Sequence, residues 1–222
     1  NKYKLGMNEH HIFGEVICQV SAPELVNNKY ILPAKLAVTK LQQRDRKNDY
    51  VADSKVILSH LDKHNIKKLL VCARTTRQIM GLISTTDLCA VLNARGYSWL
   101  SITSKNGAFI DGKRVHRETF FKTLNKWGKD DDKKFIVIHH SILSEGINVT
   151  GLEAALFLRN MNYITISQTI GRVIRTGNVS KTYGLICVPV YDKVGISTAK
   201  KVSTVVDTIF HKGEPAVTTV KK

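Results

Sequence analysis

Two arginines, a glutamine and a glycine carry the most specific chemistry in this sequence. They lie in Ile164–Arg175, ITISQTIGRVIR. At about 100° per residue on a helix, Gln168, Arg172 and Arg175 fall within an arc of roughly 60°, and Ile170, Val173 and Ile174 fall opposite. One face is apolar enough to pack on a sheet, and the other presents an amide and two guanidiniums in register. Gly171, beside that stripe, leaves the backbone open to close approach. Guanidiniums held this close repel one another, which suits a multiply charged anion such as a triphosphate. The spacing by itself suits an exposed amphipathic helix with ordinary surface arginines equally well. A second segment, Ser144–Val149 (SEGINV), follows an apolar run. Its Ser144 hydroxyl can donate to a phosphate oxygen, and Gly146 permits close backbone approach. Taken alone, it also reads as a plain turn.

Something must position these residues. Short apolar runs predict strands at Ala34–Thr39, Lys68–Ala73, Trp99–Thr103, Phe135–His139, Ala154–Leu158 and Tyr183–Val188. Amphipathic stretches predict helices at Tyr50–Asn65, Arg77–Asn93 with a break near Thr86, Val115–Trp127, Ile164–Arg175 and Gly195–His211. Unbroken apolar strands alternating with helices mark a mostly parallel sheet covered on both faces, a doubly wound α/β domain. Ligands of such sheets gather at the carboxyl ends of the strands, where Ser144–Val149 falls after Phe135–His139. Ahead of Pro33 the pattern differs. Phe13–Ser21 reads as strand-like and Pro23–Lys29 as a short helix. Residues 1–33 are read as a connecting segment and 34–222 as the domain proper.

Taken together, residues 142–177 resemble motifs V and VI of superfamily-two helicases. Those motifs belong to the second, C-terminal RecA-like domain of such motors. The bacterial and phage branch that includes type III restriction enzymes and related DNA translocases is the most similar. The resemblance is carried by Gln-x-x-Gly-Arg-x-x-Arg at 168–175 following Ser-Glu-Gly-Ile-x-Val at 144–149. Lys68–Ala73 with Arg74 and Thr75 is then similar to motif IV, and Thr103-Ser104 to the next nucleic-acid-contacting element. Residues 13–33 are similar to the passage from the first motor domain into the second.

The resemblance implies a single RecA-like domain with these roles. Arg172 and Arg175 would be arginine fingers reaching the γ-phosphate of ATP across a cleft. Such fingers are worth about 10³–10⁵ in rate in other nucleotide hydrolases. Gln168 would orient them or touch the nucleotide. Gly146, Asn148 and Gly171 would line the nucleotide side. Arg74, Thr75, Thr103, Ser104 and Ser144 would touch the sugar-phosphate backbone. Asn148 stands where the family usually has Asp, which keeps the acceptor oxygen and loses the charge. The implied partners are DNA, with RNA as the alternative, and a first RecA-like domain of the same polypeptide. ATP and Mg2+ would serve the full-length parent. A competing reading is a non-catalytic nucleic-acid-binding module with the same fold.

Composition agrees with a polyanion partner. The 222 residues hold 34 Lys and Arg against 18 Asp and Glu, a formal net charge of +16. Phosphate neutralisation by such residues supplies most non-specific nucleic-acid affinity. No run approaches the 18 apolar residues of a membrane-spanning helix, and no apolar leader is visible. The four cysteines form no C-x-x-C pair and read as reduced core residues of a cytoplasmic protein. His60 and His64, four apart on a predicted helix, read as surface histidines, and no metal site is expected. Gly107–Arg114 (GAFIDGKR) nearly spells a phosphate loop, which would make the chain a nucleotide-binding enzyme in its own right. Arg114, however, occupies the place of the magnesium-binding Ser or Thr. A basic loop is the better reading. The phosphate loop and magnesium-holding acid are therefore assigned to the other motor domain. The isolated chain is expected to hydrolyse ATP negligibly at any magnesium concentration. Robust turnover that Lys113→Ala abolishes would contradict this.

Overall fold

The computed structural model describes residues 14–15, 17–41, 49–140, 149–177, 181–191 and 193–213. Eight strands form one sheet: β1 Ala34–Lys40, β2 Lys68–Cys72, β3 Tyr97–Thr103, β4 Gly107–Ile110, β5 Lys113–Val115, β6 Lys134–His139, β7 Ala154–Phe157 and β8 Gly184–Val190. Their order is β1-β8-β7-β2-β6-β3-β4-β5. The first six strands of that order are parallel, and β4 and β5 continue antiparallel from β3. All residues of β2, β3 and β7 are buried, as expected where helices cover both faces. The helices are α1 Ala22–Asn27, α2 Tyr50–His64, α3 Thr76–Ser84, α4 Leu88–Ala94, α5 Arg117–Lys129, α6 Tyr163–Val173 and α7 Lys193–Val205, the last continuing as a π-helical turn, Val206–His211.

Strand alternation sends side chains into two cores. Val56, Ile57, Ile79, Leu82, Leu88 and Leu92 of α2, α3 and α4 pack on one face with Leu69, Val71, Ile136 and Ile138. Phe120, Leu124, Ile166, Ile170, Val173 and Val202 of α5, α6 and α7 pack on the other with Leu70, Cys72, Phe135 and Val137. The predicted break near Thr86 is real, and its cause is local. Thr85 Oγ1 and Thr86 Oγ1 donate back to the carbonyls of Gly81 and Leu82, at 2.7 and 2.6 Å. They thereby satisfy the acceptors that the next helical turn would have used.

Three expectations are corrected. Gly107–Arg114 is no loop but most of the β4–β5 hairpin, turning at Asp111-Gly112, both with positive φ (46° and 82°). That is the Asp-Gly signature of a tight hairpin, so a helix-opening phosphate loop is replaced by sheet. Asp111 Oδ1 also accepts from the Trp99 N–H at 2.7 Å, tying the turn to β3. The described residues of Phe13–Ser21 belong to no strand. They are mostly exposed, and Ser21 instead caps α1 by accepting from Glu24 N–H. His60 is not a surface residue; it is 1% exposed. Its Nδ1 donates to the Val56 carbonyl at 2.8 Å, which leaves Nε2 to accept from Thr39 Oγ1 at 3.1 Å. Among the described residues no metal-holding cluster of His, Cys, Asp or Glu occurs. None of their helices is long and apolar enough to cross a membrane.

Two outcomes follow from this packing. Gly128, near the end of α5, would place a Cβ 2.2 Å from the Thr150 carbonyl oxygen. Alanine would gain about 1 kcal/mol in helix propensity, but overpacking against backbone costs about 1–3 kcal/mol. Gly128→Ala should therefore lower the thermal midpoint by several degrees, and an unchanged or raised midpoint would refute the close approach. Burial holds His139 at a pKa of about 3 against an ordinary 6.5, with Arg159 and Arg172 adding to the shift. The unfolded chain takes up that proton below pH 6.5, while the folded one refuses it until about pH 3. The stability present above pH 6.5 is thus lost as pH falls through this window, by at most about 1.4 kcal/mol per pH unit from this group. His139→Asn should flatten the fall in thermal midpoint between neutral and mildly acidic pH.

Candidate functional site

The parallel strands point their carboxyl ends at one edge of the sheet, where Arg74 and Thr75 follow β2 and Thr103 and Ser104 close β3, whereas the Arg175 backbone lies at the amino-end side, ahead of β1. After β2 the chain turns through Ala73, Arg74 and Thr75 into α3. Thr75 adopts an extended backbone, and its Oγ1 accepts from Gln78 N–H at 3.1 Å as the helix cap. Its oxygen is thus engaged by the protein, which leaves the hydroxyl hydrogen to donate. Arg74 is fixed twice. Its backbone N–H donates to Gln78 Oε1 at 2.6 Å, and its guanidinium lies 3.5 Å from Asp53 Oδ2. Asp53 is fully buried in the first turn of α2 and also accepts from Gln78 Nε2 at 2.6 Å. A buried carboxylate paired with an arginine and an amide is held rigidly, because losing either partner would strand a charge. The Arg74 side chain keeps 27% of its surface exposed. Asp53 and Gln78 were not among the sequence candidates. The available signal was an acid on the apolar stripe of α2, between Val51 and Val56–Ile57.

Two strands along, Thr103 ends β3. It is 6% exposed, and its Oγ1 accepts from Asn106 N–H at 2.9 Å. Ser104 is exposed in the turn that follows. Between these two loops, β6 ends in His139 and His140. His139 Nε2 is 3.4 Å from Cys72 Sγ, and burial raises the Cys72 thiol to about 12, so this cysteine is an inert core residue. His140 Nδ1 lies 3.3 Å from Arg159 Nη1 and 3.2 Å from the Ala73 carbonyl. As a lone pair it accepts from Arg159, and as an N–H it donates to Ala73.

The arginine segment differs from expectation in one respect. Asn162 caps α6 by accepting from Thr165 N–H at 2.8 Å, and the helix stops at Val173, not Arg175. Arg172 therefore sits in the last helical turn. Arg175 lies beyond it, its backbone in an isolated antiparallel bridge with Ile31, ahead of β1. The two arginines do not share one helix. Leu32 N–H donates to the Ile174 carbonyl at 2.7 Å. Lys181 Nζ donates to the carbonyls of Leu152 and Val173 and, at 3.4 Å, of Arg175. Burial lowers this lysine to about 8. Ile31 and Leu32 on one side and Lys181 on the other thus hold the chain just past the helix end, and no sequence pattern marked Lys181 for that role.

Arg172 is only 7% exposed. Burial lowers its pKa, and Arg175 lowers it further. Its charge is felt at Cys72 and His139, at the carboxyl ends of β2 and β6, together with that of Arg159. Arg159, two residues past β7, is thus a third guanidinium in this neighbourhood that the sequence had not singled out. Gln168, one turn before Arg172, is exposed, and a Cβ at Gly171 would meet no atom within 4 Å. Ser144, Gly146 and Asn148 lie outside the described residues.

No protein-family model and no curated protein sequence matches the chain. Solved structures do. A fragment of a putative HsdR subunit of a type I restriction enzyme from Vibrio vulnificus aligns over 91% of the chain with a TM-score of 0.64 and 13% identity. The ATP-dependent Type ISP restriction-modification enzyme LlaBIII, solved bound to DNA, aligns over 91% with a TM-score of 0.57 and 16% identity. The chain spans 39% and 16% of those two proteins. With its eight-stranded, mostly parallel sheet covered by helices on both faces, the chain shares the α/β fold of the matching regions of these two restriction-enzyme proteins.

Proposed function

We propose that the chain is the second motor domain of an ATP-dependent helicase or translocase acting on DNA. In this reading residues 34–222 are the motor domain, and 1–33 lead into it from a first RecA-like domain of the same polypeptide. The observation that carries the reading is the gathering of positive charge around Arg172. Its guanidinium is largely buried, near Arg175, Arg159 and His139, and a gathering of positive groups of this kind suits a polyanion such as a triphosphate.

The donor set fits phosphate and not magnesium. Among the described residues, those around Arg172 include Arg159, Arg175, His139 and His140, and the Asp53 carboxylate is buried against Arg74 and Gln78. Magnesium belongs with the first domain in this proposal. ATP supplies the phosphoryl bond whose cleavage drives the motor. Arg172 and Arg175 stabilise negative charge building on the transferred group. Gln168, exposed one turn earlier, is placed to orient a ligand against them. Arg74, Thr75, Thr103 and Ser104 hold one strand by its backbone, and Asp53 and Gln78 keep Arg74 in place. Contacts of this kind carry little sequence preference and weaken steeply with salt. Likeness to two restriction-enzyme proteins, one of them solved bound to DNA, supports DNA over RNA.

In the two-domain parent, Arg175→Ala should lower kcat by about 10³-fold or more while changing nucleotide affinity only a few-fold. Weakened DNA binding with hydrolysis intact would remove the finger assignment.

A further inference from the structure

A cleft of about 540 Å³ opens where β3 ends, between the β4–β5 hairpin and the start of α5. Its polar lining is Thr103, Ser104, Arg114, His116 and Arg117, with Gly107 beneath, and among the described residues no acidic side chain borders it. The nearest carboxylates on these elements are turned elsewhere. Glu118 pairs with Lys122 at 2.7 Å, and Asp111 is bonded to β3. Among the described residues neither Arg114 nor Arg117 pairs with a carboxylate.

Each guanidinium is supported from behind. Arg114 Nε and Nη2 lie over Gly107, 3.6 Å from where a Cβ would stand, and Gly107 has φ of 82°. A larger residue there would be strained and would crowd the fork. Arg117 sits over the Phe121 ring at 5.5 Å. Thr103 Oγ1 already accepts from Asn106, so its hydroxyl hydrogen is left to donate. The thirteen-residue α5 begins at this rim, and its cap residue His116 makes no side-chain cap bond. Among the described residues the polar side chains of the cleft wall are two guanidiniums, an imidazole and two hydroxyls, a donor-rich set that matches a phosphodiester. A volume of this size is within the usual range of roughly 300–1,000 Å³ for ligand sites.

We propose that this cleft grips one phosphodiester segment of a single nucleic-acid strand, through Arg114 and Arg117. It extends the backbone path beyond Thr103 onto a hairpin that no helicase motif in the sequence covers. Four strand steps, about 19 Å at the usual spacing, separate β2 from β5. A strand crossing the sheet edge from Arg74 therefore reaches Arg114 without leaving the protein. The inference rests on the proposed function for the presence of a strand at Arg74 and Thr103.

The test uses the 222-residue chain and a fluorescein-labelled oligodeoxythymidylate of about 20 nucleotides, with anisotropy read over a salt series. The double variant Arg114→Ala/Arg117→Ala should bind roughly 5–20-fold more weakly at moderate salt, with the salt slope reduced by about 1.4, or 0.7 for each lost phosphate contact. Both residues are exposed, so the thermal midpoint should be unchanged. Lys55→Ala, an exposed charge on α2, should leave the slope as it is. If the double variant matches wild type while Arg74→Ala weakens binding, the cleft proposal falls and the proposed function stands. If the unsubstituted chain binds no strand, both fall. Saturable binding of inorganic phosphate below about 10 mM, lost in the double variant, would assign the cleft to a free anion and overturn the strand grip.

Discussion

Gathering like charges in a partly desolvated place is the constraint on which the rest of this structure turns. Arg172 is buried with Arg175, Arg159 and the neutral His139 around it. Burial and the Arg175 charge disfavour the Arg172 guanidinium, and burial with the Arg159 and Arg172 charges keeps His139 from taking up a proton. Such an arrangement persists only when the fold over-determines it. Here the Asn162 cap starts α6, the Lys181 ammonium and the Leu32 N–H bind the carbonyls at its end, and Ile31 bridges to Arg175. The stability spent on crowding positive groups is supplied by two extended apolar cores, one on each face of the sheet.

The same logic, in milder form, runs along the carboxyl edge. The loops after β2 and β3 place hydroxyls whose oxygens the backbone already occupies, so that hydrogens are left to donate. Arg74 is stiffened by a buried carboxylate, and Arg114 rests on a glycine. None of these positions is strongly acidic or apolar. In the proposed function, this edge of donors receives phosphate oxygens. Its parallel strands repeat at a fixed spacing, and a polymer with a regular backbone is its natural complement.

Much of this was legible in the sequence. Unbroken runs such as KLLVC and FIVIH have no polar alternation and fit only strands covered on both faces. The β/α order then fixed the doubly wound class. Thr85 and Thr86 marked a helix break because hydroxyls in tandem compete for helical carbonyls. The carriers of Arg172 and Arg175 were visible from spacing, but the helix end was not. Ile174 and Arg175 continue a helical pattern, yet the tertiary bonds from Leu32, Ile31 and Lys181 pull the backbone out. The β4–β5 hairpin was hidden because its strands are only four and three residues long. Its Asp-Gly turn was read as part of a phosphate-loop spelling. Asp53, Gln78 and Lys181 act through contacts between residues far apart in the chain, which no local pattern records.

The central claim is that Arg172 and Arg175 face a nucleotide delivered by another part of the polypeptide. A crystal structure of the two-domain parent with a non-hydrolysable ATP analogue tests it most directly. Guanidinium nitrogens of both residues are expected at about 3 Å from γ-phosphate oxygens. A closed cleft in which the γ-phosphate is held entirely by the first domain, with both arginines turned inward to protein acceptors, would contradict it.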